Sequence, residues 1–159
     1  MCIRDRESRG PDSAGFAIYK NEGNKIYKFS LCINNLNFNI FKKELSKKIK
    51  KIKLNQISDH VILKTEEKPK KVLEILNLNF PEVSIVGYGK SIEIFKQVGN
   101  PKDVVKKFKL GDFSGTHGIG HTRMATESAI TTDGSHPYST GEDECLVPVS
   151  YTHLRAHET

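Results

Sequence analysis

At 159 residues the chain is long enough for one domain with a sizeable core and too short for two comfortable ones. Its formal charge of +6 comes from Lys-rich stretches such as 42–53, which lack the interleaved aromatics of a base-stacking surface, so a solvated helix face accounts for the excess and nucleic acid is not expected as a partner. No apolar run is long enough to span a bilayer and no signal-peptide pattern opens the chain, so the expectation is a cytoplasmic protein with no membrane partner. The cysteines Cys2, Cys32 and Cys145 are odd in number and lack metal-ligand spacing, which argues against a disulfide framework or a zinc site.

In chain order, Phe16-Ala17-Ile18-Tyr19 reads as a buried strand, and 21–24 carries turn chemistry. Lys25 to Ile33 alternates, with Tyr27, Phe29 and Leu31 on one face, so the two strands are expected to form a hairpin. From Phe38 to Ile52 the apolar residues Phe38, Phe41, Leu45, Ile49 and Ile52 recur every three or four positions, which makes one helical stripe. Val61-Ile62-Leu63 lies in a strand at 59–65, and Pro69 can open a helix that turns Val72, Ile75 and Leu76 inward. A strand at 83–86, a turn at Gly87-Tyr88-Gly89 and a strand at 91–95 complete what reads as a small α/β unit packing on its own sheet, bounded near residues 55 and 97. Asn100-Pro101-Lys102-Asp103 is a helix start, with Asn as N-cap, Pro at the first helical position and an acid at the third. Val104, Val105 and Phe108 then face the core. After the break at 111–115, a strand from His117 to Thr122 runs into the most chemically loaded stretch of the chain.

That stretch is Gly118-Ile119-Gly120-His121-Thr122-Arg123-Met124-Ala125-Thr126-Glu127-Ser128. A chain that otherwise relies on Lys here uses Arg, whose rigid fork grips a carboxylate through two parallel bonds as an ammonium cannot. An ordinary strand end with a surface Arg is the plain alternative. Two further stretches stand with it: Arg9-Gly10-Pro11-Asp12-Ser13-Ala14-Gly15 and His136-Pro137, followed by Ser139-Thr140-Gly141 and Cys145-Leu146-Val147. Together they resemble the signatures of class-II glutamine amidotransferases, the N-terminal-nucleophile family. The wording is closest to the small amidotransferase subunits of glutamate synthase and N-methylglutamate synthase.

The resemblance implies an α+β fold, part of an αββα sandwich carrying the inserted α/β unit at about 55–97, with the amidotransferase segment covering 7–147. It implies glutamine as substrate and a glutamate-synthase-like synthase subunit as partner for the released ammonia. No cofactor is expected in this chain, flavin and iron-sulfur centres being expected on the partner. On the family template Arg123 clamps the α-carboxylate of glutamine, Thr126 holds the substrate by a hydrogen bond, and Arg9, Asp12 and His136 support the pocket. For Arg9 and Asp12 a structural ion pair is an equal alternative. The histidines His117, His121 and His136 invite a metal reading, but the family needs no metal and their spacing is not that of a ligand set.

The family's nucleophile is an N-terminal Cys whose own α-amine acts as base. Cys2 follows Met1 as that residue does, yet only six residues separate it from Arg9. They reach at most about 25 Å when fully extended, with nothing left for the strand and helix that the family fits there. Cys2 is therefore read as a mimic. Residues 1–6 and 148–159 resemble translated sequencing-adapter read-through, and Pro148-Val149-Ser150 stands where the family has the His-Asn-Gly of its oxyanion hole. The expectation is a fragment inactive as a glutaminase. From a different class, a non-catalytic small-molecule-binding or docking module built on the inserted unit is the alternative.

Overall fold

The computed structural model describes residues 10–20, 23, 25–34, 36–124 and 130–148. In chain order the elements are β1 (Ser13–Tyr19), β2 (Tyr27–Cys32), α1 (Phe38–Lys48), β3 (Lys53–Ile57), β4 (His60–Thr65), α2 (Pro69–Asn79), β5 (Ser84–Gly89), β6 (Ile92–Val98), α3 (Pro101–Lys107), β7 (His117–Arg123), β8 (Tyr138–Gly141) and β9 (Glu144–Leu146). A 3₁₀ turn, Leu110–Asp112, follows α3. The strands make a three-stranded sheet in the order β6-β1-β7, a four-stranded sheet in the order β3-β4-β2-β5 and a hairpin of β8 with β9. Among the described residues all ladder pairings are antiparallel, and with three helices this makes an α+β fold.

The helical stripes form as their spacing predicts. Phe41, Leu45 and Ile49 are buried, with Phe38 and Ile52 packed beside them, against Phe29, Leu31, Val61 and Leu63 of β2 and β4 and against Val72 and Leu76 of α2. Asn37 caps α1 by accepting from the backbone N–H of Asn39 at 3.0 Å and Ile40 at 3.3 Å, satisfying two donors the first turn leaves open. The helix stops at Lys48, short of the expected Ile52, because Ile49 is already extended and Lys51 takes φ 52°. Lys53–Ile57 then forms β3, an edge strand the sequence does not announce: it is mostly exposed, so no alternating pattern marks it. Asn100 and Pro101 open α3 as expected, the Asn100 side chain accepting from Lys102 N–H at 2.9 Å.

Three local expectations are corrected. The first two strands form no hairpin: β1 pairs with β6 and β7, and β2 pairs with β4 and β5. Each strand has two hydrogen-bonding edges, and pairing with two distant partners satisfies both, whereas a two-stranded ribbon leaves one edge of each strand open. The segment from about 55 to 97 likewise has no sheet of its own, since β4 and β5 flank β2 and β6 lies beside β1. Gly87-Tyr88-Gly89 is strand and not turn; the chain reverses at Lys90-Ser91. The two glycines serve close approach, because a Cβ on Gly87 would stand 2.6 Å from Ile94 Cδ1 and one on Gly89 would strike the Asp143 carboxylate. That carboxylate accepts from the N–H groups of Lys90, Ser91 and Ile92 and from Ser91 Oγ, at 2.7–2.9 Å. It ties the β8–β9 hairpin to the β5–β6 turn.

Candidate functional site

The first and second signatures meet across one strand pair. In the β1–β7 ladder Ser13 lies opposite Arg123, Ala14 opposite Thr122 and Gly15 opposite His121. Just before β1, the Asp12 N–H donates to the Arg123 carbonyl at 3.1 Å, and the Asp12 carbonyl accepts from Gly99 N–H at 2.8 Å. Gly10 runs so close over β7 that a Cβ there would stand 2.6 Å from the Thr122 carbonyl carbon. Because side chains alternate along a strand, Ser13, Gly15, His121 and Arg123 share one face at the same end of the sheet.

The segment 130–138 covers that face. Arg123 Nη1 donates to the Gly134 carbonyl at 2.9 Å, and the Tyr138 hydroxyl donates to the same oxygen at 2.9 Å. Thr131 shapes the loop, its Oγ1 accepting from Gly134 N–H at 3.0 Å and its carbonyl accepting from Ser135 Oγ at 2.9 Å. Gly15 has to be glycine here, since a Cβ would collide with the His136 carbonyl. Lys96, from the neighbouring β6, donates to the Asp133 carbonyl at 3.0 Å and lies 5.0 Å from the centre of the Tyr138 ring. Burial pushes the Lys96 ammonium below its ordinary range.

His136 is buried, its peptide bond to Pro137 is cis, and its Nδ1 lies 3.1 Å from Nδ1 of His121. One of these nitrogens donates and the other accepts, so the bond exists only when at least one ring is neutral. Burial first, then the nearby His121, Arg123 and Lys96, bring His136 down to about 4. Burial and Arg123 lower His121 as well. Both rings are therefore neutral near pH 7. The Ser13 hydroxyl is also buried, and it has no hydrogen-bond partner among the described residues.

Of the residues singled out from sequence, Asp12, Arg123 and His136 are thus brought together. Cys2, Arg9 and Thr126 lie outside the described residues. His117 stands at the far end of β7, stacked on Tyr19 with ring centres 4.3 Å apart, and takes no part in the cluster. Ser13 and Lys96 were given no role from sequence. Ser13 carried a usable signal, since it follows Asp12 within a signature. Lys96 carried none, being one lysine among many.

One metal-capable group occurs among the described residues: Cys32, Asp59 and His60 offer donor atoms within 4.8 Å of one another. Asp59 is already engaged, by His60 Nδ1 at 3.0 Å and by the Lys107 ammonium at 2.9 Å. Although burial pushes its pKa up, those two bonds hold it at about 2. Burial pushes the Cys32 thiol up, away from the thiolate a metal needs. This group reads as a structural polar cluster.

The chain is similar to the glutamine amidotransferase-like protein GlxB of Rhizobium meliloti, 43% identical over 142 residues that cover 87% of this chain and 47% of that protein. It is also similar to a putative glutamine amidotransferase of Methanothermobacter thermautotrophicus, 28% identical over 147 residues, covering 83% of this chain and 47% of that one. A shorter match, 39% identical over 57 residues, covers 35% of this chain and 10% of a glutamine–fructose-6-phosphate aminotransferase of Methanococcus maripaludis. No family model matches the chain. The chain spans about half the length of the first two relatives. These similarities support a glutamine amidotransferase domain.

Proposed function

We propose that this chain forms the glutamine-binding part of a class-II, N-terminal-nucleophile amidotransferase domain, with the β6-β1-β7 and β3-β4-β2-β5 sheets as layers of an αββα sandwich. In that reading Arg123 grips the α-carboxylate of glutamine and Thr126 adds a hydrogen bond. Arg9 and Asp12 support the pocket. The neutral His136 and His121 hold the covering loop without adding a cation to a site that Arg123 already makes positive. The ammonia is passed to a glutamate-synthase-like partner that carries the flavin and iron-sulfur centres. Cys2 is not the nucleophile, on the argument of chain length between it and Arg9.

One observation carries the reading. Residues far apart in sequence, Asp12-Ser13, Arg123 and Gly134 to His136, meet at one end of a single strand pair. A surface Arg at an ordinary strand end would have no reason to meet two other signature segments.

Titration with L-glutamine, followed by calorimetry, tests the proposal. Arg123→Ala is expected to weaken glutamine about 10- to 100-fold, because a charge-assisted hydrogen bond contributes about 1.5–3 kcal/mol. Arg123→Lys should recover little of this, since an ammonium cannot reproduce the bidentate grip. Unchanged affinity in Arg123→Ala would overturn the proposal.

A further inference from the structure

A second site lies at the other end of β1 from Arg123. A cavity of about 460 Å³ opens between β3 and β4 on one side and the 108–113 segment on the other, with Glu93 of β6 in its lining. Glu93 pairs with Ile18 and Arg123 with Ser13. The parity of the strand therefore puts the two sites on opposite faces of the sheet, about 17 Å apart along β1 at about 3.3 Å per residue.

Four lysines from four separate segments line this cavity: Lys20 after β1, Lys53 at the start of β3, Lys64 on β4 and Lys109 after α3. Lys109 is held in the left-handed region at φ 52°. The buried Glu93 carboxylate orders the floor, with Lys20 Nζ at 3.2 Å, the fully buried Lys28 Nζ at 3.5 Å and Lys64 Nζ at 4.0 Å. Lys20 also lies 4.6 Å from the centre of the Phe113 ring. Leu54, Ile57, Ile62 and Phe108 supply an apolar wall.

The volume fits a small molecule, and the lining combines apolar side chains with four ammonium groups, the Asn55 amide and the carboxylates of Glu93 and Asp112. No arginine is among the described lining residues, so the planar two-pronged grip that suits carboxylate and phosphate alike is missing. Lysine instead offers compact point charges that suit a tetrahedral oxyanion approached from several directions. We propose that this cavity binds a small phosphate monoester whose ring or chain lies against Phe108, Phe113 and Ile62, with its phosphate facing Lys53, Lys64 and Lys109.

Phenyl phosphate is a suitable probe, with inorganic phosphate and phenol as its two halves, and binding is read by calorimetry on the whole chain. Saturable binding of phenyl phosphate, weaker binding of either half and loss of affinity with added salt are expected. The double variant Lys53→Ala/Lys109→Ala removes two exposed side chains, so its fold should hold, and it should weaken phenyl phosphate about tenfold or more. Three results would overturn the proposal: no saturable binding at millimolar ligand, equal affinity in the double variant, or inorganic phosphate binding as tightly as phenyl phosphate. Arg123→Ala should leave phenyl phosphate binding unchanged while weakening glutamine, which keeps the two sites' failures distinguishable.

Discussion

The β3-β4-β2-β5 sheet packs Phe29, Leu31, Val61 and Leu63 against two helices, whereas the Arg123 end of the β6-β1-β7 sheet packs Ser13, Gly15, Lys96 and His121 under the 130–138 segment, which carries His136. Both regions are buried. In the first the contacts are apolar and insensitive to direction, so the region is held by volume and area. In the second the contacts are hydrogen bonds between single atoms, and the Ser13 hydroxyl has no partner among the described residues. Burial thus serves stability in one place and precise placement of polar atoms in the other. Mutations should sort accordingly.

The sharpest division comes from Leu45→Ala. Leu45 is fully buried at the centre of the helix-facing core, and its truncation should lower stability by about 2–5 kcal/mol. Glutamine affinity should stay unchanged under conditions where the variant is folded. Urea titration paired with calorimetry measures both. Arg123→Ala should show the reverse pattern, with its main loss in glutamine affinity. If Leu45→Ala weakened glutamine as strongly as Arg123→Ala does, the two regions would not be separable.

Acid should find the polar region first. His136 titrates at about 4 when folded, below the ordinary value near 6.5 for a free imidazole. Between these values the unfolded chain binds the extra proton, so the stability contributed by neutral His136 is present above pH 6.5 and lost as pH falls towards 4. Replacing it, as in His136→Gln, should flatten that part of the stability profile by an amount on the order of 1 kcal/mol. An unchanged profile would show that the His121–His136 contact is not what acid breaks. The smallest effect belongs to the helix cap: Asn37→Ala should cost about 1 kcal/mol, read as a shift of the urea midpoint with glutamine binding intact.

The two regions also differed in how far they could be read in advance. The stripe of Phe41, Leu45 and Ile49, the inward face of Val72 and Leu76, and the Asn100-Pro101 helix start were legible because each depends on neighbours three or four residues away. The exposed edge strand β3 was not, because it buries too little to leave a pattern. Gly87 and Gly89 misled for a related reason: glycine marks both turns and close approaches, and only the positions of Ile94 and Asp143 tell which.

The amino-acid sequence by itself determined which segments are helical, which faces are apolar, and which short stretches, around Asp12, Arg123 and His136, are candidates for chemistry. Tertiary structure alone decided that β1 pairs with β6 and β7 in place of β2, and that Ser13 faces Arg123. It also decided that Gly134 accepts from the guanidinium, that two histidines share one hydrogen bond, and that four lysines converge on one cavity. The physical reason is range. A helical stripe is set by backbone geometry over a few residues, but strand pairing and convergent polar contacts join residues scores of positions apart, and they form only when the whole chain finds the arrangement that buries most of its apolar surface.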